Sequence, residues 1–201
     1  MKEYKSIKLN ELQEPLVIVV DMVNGFIKEG AMSDLNIMRI VPNIKSLLEK
    51  IPSYFIVDKH LEDAIEFKSF PIHCLEGSSE SNIIDELSSY NILYPSVYKN
   101  STNAIFAKDR DDEHKFNFDI LDKYKSLIIV GCCSDICVLQ LAIGLRTYYN
   151  QCNKDMDVYV PINCIDTYNA PNYHEAKEYN DIAIKLMEQA GINIINNIEE
   201  K

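Results

Sequence analysis

Short runs of β-branched and other apolar residues alternate along the chain with longer amphipathic segments. This alternation is typical of parallel strands joined by crossover helices, whereas hairpin-rich sheets give closely spaced strands with turn signals between them. We therefore predict an α/β fold built on a parallel sheet. The predicted strands span residues 16–20, 54–57, 91–97, 126–130, 157–160 and 192–195.

The segments between these runs carry helical periodicity. In 36–50 the apolar residues recur at helical spacing until Pro52 ends the pattern, and shorter or more polar helices are predicted at 83–89 and 172–190. Segment 134–149 differs, because it is apolar almost all round. Such a helix is buried either in the core or at a subunit contact. We expect a homo-oligomer.

Composition excludes several classes of protein. The chain has 201 residues, of which 47% are hydrophobic, and a formal net charge of −11. That charge disfavours binding to nucleic acid and to anionic membrane surfaces. No apolar run approaches the ~20 residues that span a bilayer, and residues 1–14 are too polar for a signal peptide. We therefore expect one cytoplasmic domain over residues 1–201, with its six cysteines reduced.

Polar residues follow four of the predicted strands. In an open parallel sheet, ligands bind outside the carboxyl ends of the strands, so chemistry is expected there. The residues at these ends are Asp21, the group Asp58, Lys59 and His60, then Lys99, and the run from Gly131 to Cys137. Together they supply a carboxylate, a pair of metal-ligand types, an amine and a thiol.

Cys137 is the candidate nucleophile. It falls in the first turn of the apolar helix if Ser134 or Asp135 is the N-cap, and a helix N-terminus favours a thiolate. A nucleophilic thiol also needs a base and a nearby cation, which Asp21 and Lys99 offer. The alternative is that Cys137 is an inert, packed thiol. Asp135 is interpreted as complementing the charge of the helix terminus or as orienting a neighbour, and the first role is preferred.

Asp58 and His60 are candidate metal ligands, and the loop that follows offers Glu66 and His73. Mixed oxygen and nitrogen ligands suit zinc, iron or manganese. An isolated Asp-x-His pair is more often hydrogen-bonded surface than a metal site. The other two histidines, His114 and His174, are predicted to be solvated.

The motifs around these residues resemble those of the isochorismatase-like cysteine hydrolases, and among them the nicotinamidases. The resemblance runs over roughly residues 15–195. It rests on VVDMVNGF ending at Phe26, on VYK ending at Lys99, on GCCSDICV around Cys137, and on the segment from Asp58 to Ser78. The last segment discriminates, because many other members of the superfamily have the triad without these metal ligands.

This resemblance implies a three-layer, doubly wound α/β fold with a central parallel sheet flanked by helices. It also implies a catalytic triad in which Cys137 is the nucleophile, Asp21 the general base and Lys99 the charge partner. The backbone N–H groups of Cys133 and Cys137 would form the oxyanion hole, after a cis peptide bond between Cys132 and Cys133.

The resemblance further implies one divalent metal ion, zinc above iron or manganese, held by Asp58, His60 and His73. Glu66 would be a fourth ligand of the kind found in some relatives. Phe26 and Phe70 match positions whose aromatic rings flank a pyridine ring.

The implied reaction is deamidation of nicotinamide to nicotinate and ammonia through a cysteine thioester, which would feed NAD salvage. Two alternatives stay open. One is a related cysteine hydrolase of another small amide or carbamoyl substrate. The other is a binding protein with a structural metal, in which Cys137 only packs the helix. The sequence departs from the common family pattern at Val23, Phe70 and Ser134, which bears on ring packing more than on the type of reaction.

Overall fold

A computed structural model describes residues 2–108 and 115–200. The strands, in chain order, are β1 Ile7–Lys8, β2 Pro15–Val20, β3 Ser53–Asp58, β4 Val97–Lys99, β5 Ser126–Gly131, β6 Asp157–Pro161, β7 Asn193–Ile195 and β8 Ile198–Glu199. The α-helices are α1 Asn24–Ile27, α2 Val41–Leu48, α3 Asp85–Ser88, α4 Phe118–Leu121, α5 Leu139–Gln151 and α6 Ala176–Gln189.

Six strands form one parallel sheet in the order β4-β3-β2-β5-β6-β7, and β1 pairs with β8 in a separate small parallel pair. The strand order reverses direction at β2, as in doubly wound folds. Alternate residues of β2 pack in the hydrophobic cores on opposite faces of the sheet. Val17 and Val19 pack on the side of α2 and α3, and Ile18 and Val20 pack on the side of α5 and α6. The predicted α/β fold, with a central parallel sheet between two helical layers, is confirmed.

The sheet is buried on both faces, which explains why its strands are apolar without alternation. Every residue of β3 and of β5 is buried. The predicted strands agree with the observed ones to within a residue or two, with one exception. The predicted strand 91–97 begins only at Val97, because Pro95 cannot donate a ladder hydrogen bond and Ile92 and Leu93 are exposed.

The predicted helix 36–50 is divided into a 3-10 helix, Leu35–Ile40, and α2. Pro42 lies in the first turn of α2 and has no N–H, so an unbroken α-helix cannot run through it. The predicted helix 172–190 begins only at Ala176, because His174 pairs with Ala170 in a tight antiparallel bridge. The almost wholly apolar helix is α5 and the turn before it, which pack in the core.

No helix within the described residues is both long and apolar enough to cross a membrane.

Gly131 ends β5 at the point where the site begins. It has φ +114°, and a Cβ atom on it would lie 2.0 Å from the carbonyl oxygen of Val20, its neighbour in the pairing of β2 with β5. We expect Gly131→Ala to lower the free energy of unfolding by about 3 kcal/mol or more, because both strain and a backbone clash are introduced. Chemical denaturation measures this change.

Gly77→Ala is the matched control for that variant. Gly77 also has positive φ, +81°, but nothing lies within 4 Å of a Cβ built on it. We expect its cost to be about 1 kcal/mol, from backbone strain alone. If the two variants lose the same free energy of unfolding, then the close approach of Gly131 to Val20 is not the reason that this position requires glycine.

Candidate active site

Four of the predicted site residues lie close together, each at or just after the carboxyl end of a different strand. Asp21 follows β2, Asp58 ends β3, Lys99 ends β4, and Cys137 lies on the turn after β5. Asp58 and Lys99 are paired in register across the sheet. All four side chains are buried. The strand order β4-β3-β2-β5 therefore creates a compact cluster from residues far apart in the chain.

Lys99 lies at the centre of this cluster. Its Nζ is 3.0 Å from Asp21 Oδ2, 2.5 Å from Asp58 Oδ1 and 3.6 Å from Cys137 Sγ. Burial alone would lower the pKa of Lys99, but Asp21 and Asp58 outweigh it and raise that pKa well above its usual value. The amine is therefore a fixed positive charge between two carboxylates and a thiol.

The two carboxylates differ in acidity although both are buried. Burial raises the pKa of Asp21 to about 6, against the opposing charge of Lys99. Burial also acts on Asp58, but Lys99 and the bonds with His60 and His73 hold the pKa of Asp58 well below its usual range. Asp21 is therefore the carboxylate that can exchange a proton near neutral pH.

Cys137 is a neutral thiol in the resting protein. Burial raises the pKa of Cys137 well above its ordinary value, and the favourable charge of Lys99 does not cancel that effect. The effect of the helix terminus on the thiol stays a prediction. Such a thiol needs a base to accept its proton at the moment of attack. Asp21 and Cys137 both contact Lys99 Nζ, which makes the neighbouring Asp21 carboxylate the candidate acceptor.

The turn that carries Cys137 has an unusual backbone. The Cys132–Cys133 peptide bond is cis, as the resemblance implied. The chain then makes a π-helical turn, Ser134–Val138, in which the Cys133 carbonyl accepts hydrogen bonds from Ile136 and Val138. Neither Ser134 nor Asp135 is the N-cap, because the helix already begins at Ser134. Within the described residues, no acceptor faces the Cys133 N–H.

Asp58, His60 and His73 form a buried cluster of metal-ligand types. Asp58 Oδ2 is 3.0 Å from Nε2 of each histidine, and the two Nε2 atoms are 3.1 Å apart. The second nitrogen of each ring also has a partner, which fixes the orientation of the ring. His60 Nδ1 faces Asn100 Oδ1 at 3.3 Å, and His73 Nδ1 faces the Pro71 carbonyl at 2.7 Å.

These hydrogen-bond partners show which ring nitrogen of His60 and of His73 carries a proton and which keeps its lone pair. Asn100 Oδ1 also accepts the Leu61 N–H, so it is an oxygen, and both Nδ1 atoms face acceptors and must carry the protons. The Nε2 lone pairs therefore point at a carboxylate oxygen, an arrangement that a cation stabilises. Asp58 also raises the pKa of His73 despite burial, which shows that this centre attracts positive charge. The residues present fit a divalent metal ion.

Glu66 lies beside this cluster but not in it. Its Oε2 accepts a hydrogen bond from the Thr102 N–H at 3.0 Å, and its carboxylate is not among the three donor groups that converge. Glu66 lines the same cavity as Asp58 and His73. Its role as a fourth ligand stays a prediction.

A narrow cavity joins the metal-ligand cluster to the thiol. Its walls include both predicted aromatic residues, and Phe26 and Phe70 lie with ring centroids 5.5 and 6.4 Å from the His73 ring. The lining residues are Phe26, Met32, Asp58, Glu66, Phe70, His73, Thr102, Cys133, Ile136 and Cys137. A small flat ring with one polar substituent matches the character of this lining.

The prediction that His174 is solvated is wrong. His174 is buried, and its Nε2 lies 2.8 Å from Asp135 Oδ2. Asp135 lies in the first turn of the helix and also contacts His174. The aromatic Tyr168 and Tyr179 that enclose His174 were the only signal in the sequence, and they have no periodic relation to it. His114, also predicted to be solvated, lies outside the described residues. All six cysteines are free thiols, as expected.

The isochorismatase domain model matches residues 15–199 of this sequence. The chain belongs to the isochorismatase family, a family of hydrolases. No curated protein shows significant sequence similarity to it.

Several solved structures share the fold at low sequence identity. PnC1 from L. infantum, in complex with nicotinate, has a TM-score of 0.76 and 14% identity, covering 98% of this chain and 100% of that one. The Acinetobacter baumanii nicotinamidase has a TM-score of 0.72 and 18% identity, covering 91% and 96%. N-carbamoylsarcosine amidase from Thermoplasma acidophilum has a TM-score of 0.65 and 19% identity, covering 93% and 96%. These similarities establish the fold.

Proposed function

We propose that this protein hydrolyses nicotinamide to nicotinate and ammonia through a thioester on Cys137. One observation carries the proposal: the buried Asp58, His60 and His73 cluster opens into the same aromatic-walled cavity as Cys137. The thiol with its acid–base partners supports amide hydrolysis, and the metal-ligand cluster supports a substrate with a ring nitrogen. The fold similarity to nicotinamidases agrees with this proposal.

In the first half of the reaction, Asp21 accepts the proton of the Cys137 thiol and the sulfur attacks the carboxamide carbon. The N–H groups of Cys133 and Cys137 stabilise the oxyanion, each contributing about 3 kcal/mol in comparable sites. Asp21 then returns the proton to the departing ammonia, which leaves the acyl group on Cys137.

In the second half, Asp21 accepts a proton from a water molecule that attacks the thioester carbon. The bond between that carbon and Cys137 Sγ then breaks, Asp21 returns the proton to the sulfur, and the acid product loses its own proton and leaves as nicotinate. Lys99 stays charged throughout, because its two carboxylate neighbours raise its pKa. Its charge stabilises the thiolate as this forms. We infer that nicotinate released in this way feeds NAD salvage.

Asp58, His60 and His73 would hold the metal ion, with Glu66 beside them. When bound, a divalent ion supplies a Lewis-acidic contact for the ring nitrogen of the substrate. Phe26 and Phe70 would pack on the faces of the ring, which fixes the carboxamide close to Cys137 Sγ. Positioning of this kind can lower a barrier by several kcal/mol, equivalent to about a hundredfold or more in rate.

The pH profile follows from Asp21. Because the carboxylate must be ionised to act as the base and its pKa is about 6, we expect kcat/KM to fall as pH decreases through about 6. Above about pH 6 the Asp21 carboxylate stays ionised, so its ionisation no longer changes kcat/KM. The profile is measured in saturating metal ion, so that loss of metal in acid does not mimic it. Constant kcat/KM down to about pH 4, an ordinary carboxyl value, would contradict the role of Asp21.

Release of ammonia from a panel of amides tests the substrate. We expect rapid release from nicotinamide and at least about a hundredfold slower release from benzamide, which lacks only the ring nitrogen. Aliphatic amides complete the panel. Release from aliphatic amides alone would retain the cysteine hydrolase and reject nicotinamide. No release from any amide would favour a binding protein.

The similarity to N-carbamoylsarcosine amidase provides a second candidate, an N-carbamoyl amino acid. Such a substrate carries a carboxylate, and the cavity already holds the carboxylates of Glu66 and Asp58. Like charges at close range disfavour that substrate unless the metal ion binds it. N-carbamoylsarcosine is therefore included in the panel, and faster release from it than from nicotinamide would establish this candidate.

A further inference from the structure

His174 and Asp135 form a buried pair. Asp135 lies two residues before the proposed nucleophile, Cys137, in the sequence. The side chains of His174 and Asp135 are 8% and 9% exposed, and His174 Nε2 lies 2.8 Å from Asp135 Oδ2. The other ring nitrogen, Nδ1, lies 2.9 Å from the Tyr168 carbonyl oxygen. The second oxygen of Asp135, Oδ1, is buried and has no hydrogen-bond partner within the described residues. His174 is therefore the partner that holds the Asp135 side chain.

The geometry of this pair requires a proton between its members. A carbonyl oxygen only accepts, so Nδ1 carries a proton. A neutral ring would then present the Nε2 lone pair to a carboxylate oxygen, which is repulsive. The contact at 2.8 Å is attractive only when a proton lies between Nε2 and Oδ2, so the two side chains share a hydrogen bond.

Two tyrosine rings enclose the His174 ring and hold it in place. Tyr168 stacks on one face with centroids 3.9 Å apart and 10° between the planes, and Tyr179 of α6 stacks on the other at 3.8 Å and 23°. Electron-rich ring faces stabilise a cation. The titratable groups that face His174 are Asp135 from the nucleophile turn, Tyr168 from its own loop and Tyr179 from α6, with Cys133 next to Tyr168.

The segment that carries His174 also holds the nucleophile turn at Ser134. The Ser134 N–H donates to the Asp166 carbonyl at 2.8 Å, and its hydroxyl donates to Asn180 Oδ1 at 2.5 Å. Asn180 in turn donates to the Asp166 carboxylate at 3.0 Å. These contacts hold the start of the turn, and the His174–Asp135 pair is the anchor nearest to Cys137.

We propose that His174 is a positioning residue for the nucleophile turn, which holds Cys137 in its reactive place through the hydrogen bond between His174 and Asp135. This inference rests on the role proposed above for Cys137. It predicts that the reactivity of Cys137 falls when that hydrogen bond is removed.

His174→Phe keeps a ring between the two tyrosines and removes both hydrogen bonds. We expect kcat with nicotinamide to fall at least about tenfold while KM changes less than about twofold, because the error lies in the placement of the thiol. The rate at which iodoacetamide alkylates Cys137, followed by mass spectrometry in a Cys152→Ser background, should fall by a similar factor. Tyr173→Ala, next in the chain but 87% exposed, serves as the matched control and should leave both values unchanged.

Asp135→Asn separates positioning from simple structural damage. Its amide can donate to the lone pair of a neutral His174, so the contact survives without the shared proton. We expect this variant to stay within about threefold of the wild type in kcat and in the alkylation rate of Cys137, whereas Asp135→Ala, which removes the contact, should lose as much of both as His174→Phe. Simple structural damage would not lower kcat and the alkylation rate together while leaving KM within about twofold.

Wild-type kcat and alkylation rate in folded His174→Phe would overturn the proposal. If His174→Phe does not fold, Asp135→Asn and Asp135→Ala decide, and equal alkylation rates of Cys137 in these two variants would overturn it. If the wild type does not hydrolyse nicotinamide, alkylation still gives an answer. The alkylation rate should then be at least about tenfold lower in Asp135→Ala than in Asp135→Asn, and equal rates would refute positioning by His174.

Discussion

Replacing Cys137 with alanine should reduce the hydrolysis of nicotinamide by at least about 10⁴-fold, because the variant lacks the sulfur that forms the proposed thioester. Cys133 also lines the cavity, but the sulfur that lies 3.6 Å from Lys99 Nζ is that of Cys137, and Asp21 is its proposed proton acceptor. Rapid quenching followed by mass spectrometry should detect an acyl group on the wild-type chain and none on the variant. Appreciable residual hydrolysis would reassign the nucleophile.

Cys164→Ala is the matched control for this experiment. Cys164 is also a buried thiol, with its pKa raised to about 12 by burial, but it does not line the cavity. We expect both substitutions to cost similar stability and only Cys137→Ala to lose activity. Similar losses of activity in both variants would attribute the effect to packing.

Removing the metal ion should lower turnover of nicotinamide by at least about a hundredfold, because the ring would lose the contact that orients it. Chelation by dipicolinate, followed by desalting, produces the apoprotein, and added zinc, iron or manganese should restore turnover. His73→Ala should lose turnover to the same extent and should not recover with added metal. Full activity in a preparation shown by elemental analysis to be free of metal would remove the metal from the mechanism.

Elemental analysis also gives a readout that is independent of activity. We expect one divalent ion per chain in the wild type and at least about tenfold weaker binding in His73→Ala, since one of three convergent donors is gone. Glu62→Ala, an exposed acidic residue on the loop after His60, is the control and should bind metal normally. Normal metal binding by His73→Ala would show that the ion lies elsewhere.

The sequence predicted most of the fold because the strands are buried on both faces. Fully apolar runs such as 127–130 indicate buried strands in a chain with clear helical periodicity between them. The prediction failed where proline decided the local structure. Pro95 delays β4 to Val97, and Pro42 separates a 3-10 turn from α2. Apolar character alone does not reveal such breaks.

Part of the candidate site could be predicted from the sequence, because the carboxyl ends of parallel strands lie at the same edge of a sheet. Asp21, Asp58 and Lys99 each lie at or just after a strand, so their convergence follows from the sheet. The protonation of Cys137 was not predictable in this way, because it depends on how deeply the thiol is buried. The His174–Asp135 pair was missed for a related reason: it joins a loop to the nucleophile turn across 39 positions, and the sequence placed His174 on a predicted helix that begins only at Ala176.

The placement of Lys99 has a consequence for how this protein can vary. Its amine separates two buried carboxylates, so a neutral residue at this position would leave Asp21 and Asp58 facing each other without compensation. Breaking a buried ion pair from one side costs about 3 to 5 kcal/mol, a large share of the stability of an ordinary domain. Inactive variants at this position should therefore also be scarce in the cell, because unfolded chains are degraded. Selection for abundance alone would then preserve Lys99, even in descendants whose substrate has changed.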